Sequence, residues 1–247
     1  MNADFIFSEY KEITAFFSFK PEKTAELIPR LALSLPEGEF FIKPWMVHGK
    51  HIQVIDRDFL NAEHVPVQGY PELVRARGYI EVPETDGLVT NIPGVALVTT
   101  HGDCIPVWAY DPVLKVAGVA HAGWKGTMLG IAGELVHAMK DHYACDPANI
   151  AAFIGPGIDK CCFEVKDDVH QQFLENVPNA ERFISQKDAE HYLIDLKGIN
   201  KQFIEMQGVT NITISPDCTS CLNDKYWSYR KAKEKDRMLA YIRINKE

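Results

Sequence analysis

The sequence has no block of lysines and arginines, and its formal net charge is -8. A protein that grips nucleic acid irrespective of sequence needs a basic surface to replace phosphate counterions. That class is excluded, and a small-molecule substrate becomes the default. No apolar run approaches the roughly 20 residues that cross a bilayer. The opening stretch MNADFIFSEYKEITAFFSFK mixes acidic and basic residues among its aromatics, so it lacks the basic start and unbroken apolar centre of a secretory signal. A cytoplasmic protein without a membrane partner is expected. The six cysteines, at 104, 145, 161, 162, 218 and 221, are too few and too irregular for a disulfide framework in a chain of 247 residues. Their thiols are read as reduced. There is no internal repeat, low-complexity tract or Gly/Ser linker, hence no seam at which to divide the chain.

What is present is an ordinary globular composition, 46% hydrophobic and 24% charged, with enough length for a large core. The runs GVALVTT, IPVWAY and LKVAGVAHA read as paired, buried strands, with a turn at Asp111 and Pro112 between the last two. Leu129, Ala132, Val136, Met139 and Tyr143 then recur at helical spacing. NIAAFIGPG and VTNITISPD read as further strands, and Asp168 to Asn176 and Leu196 to Gln207 as helices. Together they predict an α/β or α+β fold with hairpins rather than a pure βαβ repeat.

Three residues stand at the ends of apolar runs, each close to a glycine: His48 in MVHGKH, Cys104 in HGDC and His121 in AHAGWKG. Imidazole nitrogen and thiolate sulfur are the donors that Zn²⁺ and copper favour, and three protein ligands leave a position for water or substrate. Isolated histidines are also common as hydrogen-bonded core residues, and the three are far apart in sequence. Spacing alone leaves both readings open.

The motifs VHGKHI, TDGLVTNIPGVALVTTHGDCIPV, VAHAGWKGT, FIGPGIDKCCFEV, DCT and YWSYRKAKEKDRMLAYI decide more together than separately. In order and spacing they resemble the hallmarks of the laccase-domain, or polyphenol-oxidoreductase (YfiH), family over roughly residues 45 to 244. The resemblance implies a single domain over residues 1–247 with mixed sheets in an α/β/β/α arrangement. It implies metal ligation by His48, Cys104 and His121, with Zn²⁺ as the ion and Cu²⁺ as the alternative. The activity implied is phosphorolysis of adenosine, inosine, guanosine and methylthioadenosine, with deamination of adenosine. Purine nucleoside and phosphate are then the partners, and a monomer or small homo-oligomer the expected state.

Other matched residues acquire expected roles. Arg230 and Arg237 are candidates to hold phosphate, since a guanidinium binds it bidentately. Asp103 is expected to orient a ligand histidine or to carry a proton. Glu164 and Lys50 are weaker candidates for substrate contact. His101 is either an additional ligand or a loop residue. Cys218 and Cys221 have C-x-x-C spacing in CTSC, but a redox pair is expected at the start of a helix in a thioredoxin-like context and four-cysteine zinc needs a second pair; only Cys218 and Thr219 match the family pattern, so Cys221 reads as incidental.

The chain also departs from the family pattern. The usual TR-x-GG-x-S opening is replaced by ITAFFSFKPEKTAELIPRL, and Lys125, Lys231 and Asp236 stand where Arg, Arg and Gly are usual. Two other chemistries compete. Cys104 paired with His121 would make a thiol hydrolase for amide or peptidoglycan-precursor bonds. Copper oxidation of phenols would call for His-x-His pairs, and none of the nine histidines forms one.

Overall fold

The computed structural model describes residues 1–64 and 78–246. Its apolar runs are strands buried on both faces, which is why they show no polar alternation in sequence. In Val95–His101, Val95 and Leu97 face one core while Ala96 and Val98 face another. In Ile105–Asp111, Val107 and Ala109 point away from Trp108 and Tyr110.

Two six-stranded sheets result. One runs in the order Ala3–Ile6, Ile13–Ser18, Met238–Ile244, Val95–His101, Phe40–Pro44, Tyr79–Val82. The other runs Asn211–Ile214, Ala151–Ile154, Ile105–Asp111, Val116–Ala122, Gly87–Thr90, Ile52–Val54. Both mix parallel and antiparallel pairs. Phe17, Ile42, Leu97 and Ile242 from the first sheet meet Trp108, Tyr110 and Val119 from the second in a central core. Helix Thr24–Ser34 covers the outer face of the first sheet through Leu27 and Ile28. Helices Ile131–Tyr143 and Leu196–Met206 cover the second through Leu135, Val136, Met139, Ile199 and Ile204. The layers are helix, sheet, sheet, helix in one mixed α/β domain, as the family resemblance implies. A small sheet, Glu164–Lys166, His191–Ile194, Ile184–Gln186, flanks them.

The expected strands from 94 to 122 form, and Asp111 closes their hairpin by accepting from the amides of Val113 and Leu114 at 2.8 and 3.1 Å. The expected helix from Leu129 is broken. Trp124–Met128 is a separate short helix, Gly130 takes φ +81°, and Ile131–Tyr143 follows. Leu129 falls at the break and is exposed. Among the described residues, no helix is long and apolar enough to cross a membrane.

This topology gathers the strand ends. Phe40–Pro44 and Val95–His101 run parallel, and after each the chain crosses to the opposite sheet. Ala122 pairs with Ile105 at the start of the strand after the second crossing. Three chain segments therefore converge at one end of the sandwich.

Candidate metal centre

His48 lies on the first crossing, Cys104 on the second, and His121 at the end of Val116–Ala122. Their ligand atoms all lie within 4.8 Å of one another. The His48 and His121 rings are 5.0 Å apart and nearly perpendicular. Gly123 shows that the three face a common point. A Cβ placed there would come within 2.8 Å of His48 Cδ2, 3.3 Å of Cys104 Sγ and 3.6 Å of His121 Cε1. Two imidazoles and a thiolate around a space kept clear by a glycine suit a Zn²⁺ or copper ion with an open position.

Asp86, which sequence reasoning did not single out, holds this arrangement. Its wholly buried carboxylate accepts from the amides of Val47, His48 and Gly49 at 3.1, 2.9 and 2.8 Å, and from His121 Nδ1 at 3.0 Å. The carboxylate can only accept, so His121 carries its proton on Nδ1 and turns Nε2 toward the site. His48 sits at φ +61°, a region unfavourable for a residue with a Cβ, and the three amides on Asp86 keep it there. Burial opposes the charge of Asp86, but the hydrogen bonds from His121, Gly49 and Val47 hold its carboxyl below the usual range.

Electrostatics couple the three side chains. Burial alone would raise the Cys104 thiol, but the charge on His121 and hydrogen bonds from His121 and His48 bring it down to about 6. Burial likewise disfavours a charged His121, yet the Cys104 thiolate and the bonds to Asp86 and Cys104 lift it to about 9. These are two views of one thiolate–imidazolium pair. A cation held here would take the place of the shared proton, since ligation needs thiolate and neutral imidazole.

His101 is not a fourth ligand. Its Nδ1 lies 3.1 Å from the Cys104 carbonyl and its Nε2 lies 2.8 Å from Thr99 Oγ1, so both ring nitrogens are engaged. Burial and the nearby His121 hold its imidazole neutral. It braces the turn that carries Cys104.

The three residues open onto a cavity of about 510 Å³ that is also lined by Trp124, Phe163, Tyr229, Arg230, Lys233 and Arg237. Arg230 Nη1 donates to the carbonyls of Cys162 and Glu164 at 2.7 and 3.2 Å, over the Phe163 ring. Arg237 lies across Gly102 and donates through Nη1 to the carbonyls of Glu234 and Asp236, each at 2.9 Å. Thr24, within the altered N-terminal segment, fixes the Arg237 backbone from both sides. That segment does not line the cavity itself but supports a residue that does.

Three expected roles meet a different geometry. Asp103 lines the cavity, but its carboxylate accepts from Thr219 Oγ1, Ser228 Oγ and the Arg230 amide at 2.8, 2.7 and 2.7 Å. The orienting bond to His121 belongs to Asp86 instead. Lys50 pairs with Glu134 at 2.6 Å and lines a separate hollow of about 410 Å³. Glu164 pairs with Lys187 in the small flanking sheet, and its side chain does not line the cavity. Both face partners of opposite charge away from the centre.

The sequence profile of the multi-copper polyphenol oxidoreductase laccases matches residues 16–245. The chain belongs to this laccase family. It is 35% identical over 161 residues to purine nucleoside phosphorylase YlmD of Bacillus subtilis, a match covering 64% of this chain and 58% of that protein. It is 36% identical over 154 residues to purine nucleoside phosphorylase LACC1 of Mus musculus, covering 60% of this chain but 35% of that one. The matched stretch thus spans less than two thirds of either relative. The laccase-family fold agrees over a greater length. The crystal structure of YlmD from Geobacillus stearothermophilus superposes with TM-score 0.82 at 27% identity, over 97% of this chain and 94% of the other.

Proposed function

We propose that residues 1–247 form one laccase-like domain that acts as a zinc-dependent purine nucleoside phosphorylase with adenosine deaminase activity. The observation that carries this reading is an open set of two imidazoles and a thiolate facing a cavity lined by Arg230, Lys233 and Arg237. The names of the relatives agree with it.

His48, Cys104 and His121 would hold the ion. When bound, Zn²⁺ supplies a Lewis acid that polarises an oxygen or eases deprotonation of water near neutral pH. The remaining work falls to the chain. Trp124, Phe163 and Tyr229 offer aromatic faces for a planar base, and the three cations offer charge for phosphate. In phosphorolysis a phosphate oxygen bonds to ribose C1′ as the C1′–N9 bond breaks, and the electron pair leaves with the base. Arg230 and Arg237 would orient that phosphate. In deamination water replaces the 6-amino group and ammonia leaves.

A second reading has one observation in its favour. The depressed thiol of Cys104 beside a charged His121 is the pairing of a thiol hydrolase. His48 would assist such a pair by its hydrogen bond to Cys104, whereas a metal would use both imidazoles as ligands.

The test is chromatography of inosine with the purified protein, with and without phosphate. Free base should appear only with phosphate. In Arg237→Ala the KM for phosphate should rise about 10- to 100-fold, the loss of one charge-assisted contact. Base release that ignores phosphate would sink the phosphorylase reading.

A further inference from the structure

The four sulfurs of Cys161, Cys162, Cys218 and Cys221 form a second cluster, all within 4.8 Å of one another. Sequence alone offers only half of it, the C-x-x-C of CTSC. The missing pair is Cys161 and Cys162, which are adjacent in the chain and brought in by the fold, so no spacing rule signals them.

The distances are informative. Cys161 and Cys162 are 3.7 Å apart, Cys161 and Cys221 3.6 Å, and Cys162 and Cys221 3.4 Å. A disulfide needs about 2.0 Å. Four thiolates bound tetrahedrally at about 2.3 Å from Zn²⁺ have edges of about 3.8 Å. The cluster is close to that size.

The backbone around it is prepared independently of any ion. Gly157 and Cys218 form a β-bridge, the Asp159 amide donates to Cys218 Sγ at 3.4 Å, and the amide of Thr219 donates to the Gly157 carbonyl at 3.1 Å. Beneath, the buried Lys197 ammonium holds both turns, donating to Asp159 Oδ2 at 3.2 Å and the Asp217 carbonyl at 2.9 Å. Four thiolates in so small a space repel strongly unless protons or a cation lie among them.

We propose that Cys161, Cys162, Cys218 and Cys221 are a second metal centre, a tetrathiolate site for one Zn²⁺. Binding would release four thiol protons and leave a complex of net charge 2−, with the Asp159 amide as one of its donors. All four positions are filled by protein, so the site is structural and not open. Its place gives it a purpose. Arg230 rests on the Cys162 carbonyl and the adjacent Phe163 ring, and Thr219, next to Cys218, holds Asp103. The ion would clamp the wall of the cavity from behind.

The experiment uses Cys104→Ala protein, purified without added metal, so that the cluster is read apart from the first centre. Elemental mass spectrometry should find one zinc per chain, and absorption at the zinc X-ray edge should find four sulfur neighbours and no nitrogen or oxygen. Adding Cys221→Ser should remove that zinc. If the double variant does not fold, the X-ray measurement on the single variant still decides. Zinc-free Cys104→Ala, iron in place of zinc, nitrogen or oxygen neighbours, or a mass lower by two hydrogens from a disulfide would each overturn the proposal.

Discussion

Asp86→Ala is expected to lower metal affinity at the His48, Cys104 and His121 centre by at least about 10- to 100-fold, the usual effect of losing a partner behind a ligand. Asp86 acts on two ligands at once. It fixes the tautomer of His121, and through three consecutive amides it keeps His48 at φ +61°. Without it those amides lose their common acceptor, and His48 has no reason to stay in an unfavourable conformation. Stability should also fall, by roughly 3–5 kcal/mol, because the carboxylate is buried and its donors would be stranded. Asp86→Asn should be intermediate, since one amide oxygen still accepts while the new NH₂ faces N–H donors. Competition against a chromophoric chelator and a denaturant titration would check both effects. Unchanged zinc affinity in Asp86→Ala would contradict this role.

Asp103→Ala is expected to separate turnover from metal binding. Its carboxylate ties Thr219, Ser228 and the Arg230 amide together, and its backbone carbonyl accepts from the Ile158 amide at 2.7 Å. None of these partners is a metal ligand. The side chain therefore sets where Arg230 and the wall behind it stand. A shift of about 1 Å in positioned groups lowers rate on the order of 100-fold. Phosphate-dependent base release should fall by about that factor, with zinc content unchanged and partial recovery in Asp103→Asn. If zinc is lost along with activity, Asp103 supports the metal instead.

The contrast between these two aspartates shows what the sequence can and cannot reveal. Strands from 95 to 122 are legible because both their faces are buried, which leaves long apolar runs. His48, Cys104 and His121 are legible because donor side chains beside glycines at strand ends have few structural uses. Asp103 draws attention by standing next to Cys104, yet its carboxylate turns toward Ser228 and Thr219. Asp86 looks like an ordinary turn residue in TDG, and only pairing of Gly87 with Ala120 brings it beneath His121. The same limit hides the cysteine cluster, whose halves come from distant turns. The strand Met238–Ile244 also escapes a local reading, because its two partners, Ile13–Ser18 and Val95–His101, lie far from it in the chain.

The measurement to make first is zinc content and inosine phosphorolysis side by side in wild type and Cys104→Ala. Cys104→Ala should carry one zinc fewer per chain than wild type and should lose phosphate-dependent release of free base. Equal zinc in the two proteins, with base release undiminished, would show that the His48, Cys104 and His121 centre neither holds the ion nor drives the reaction.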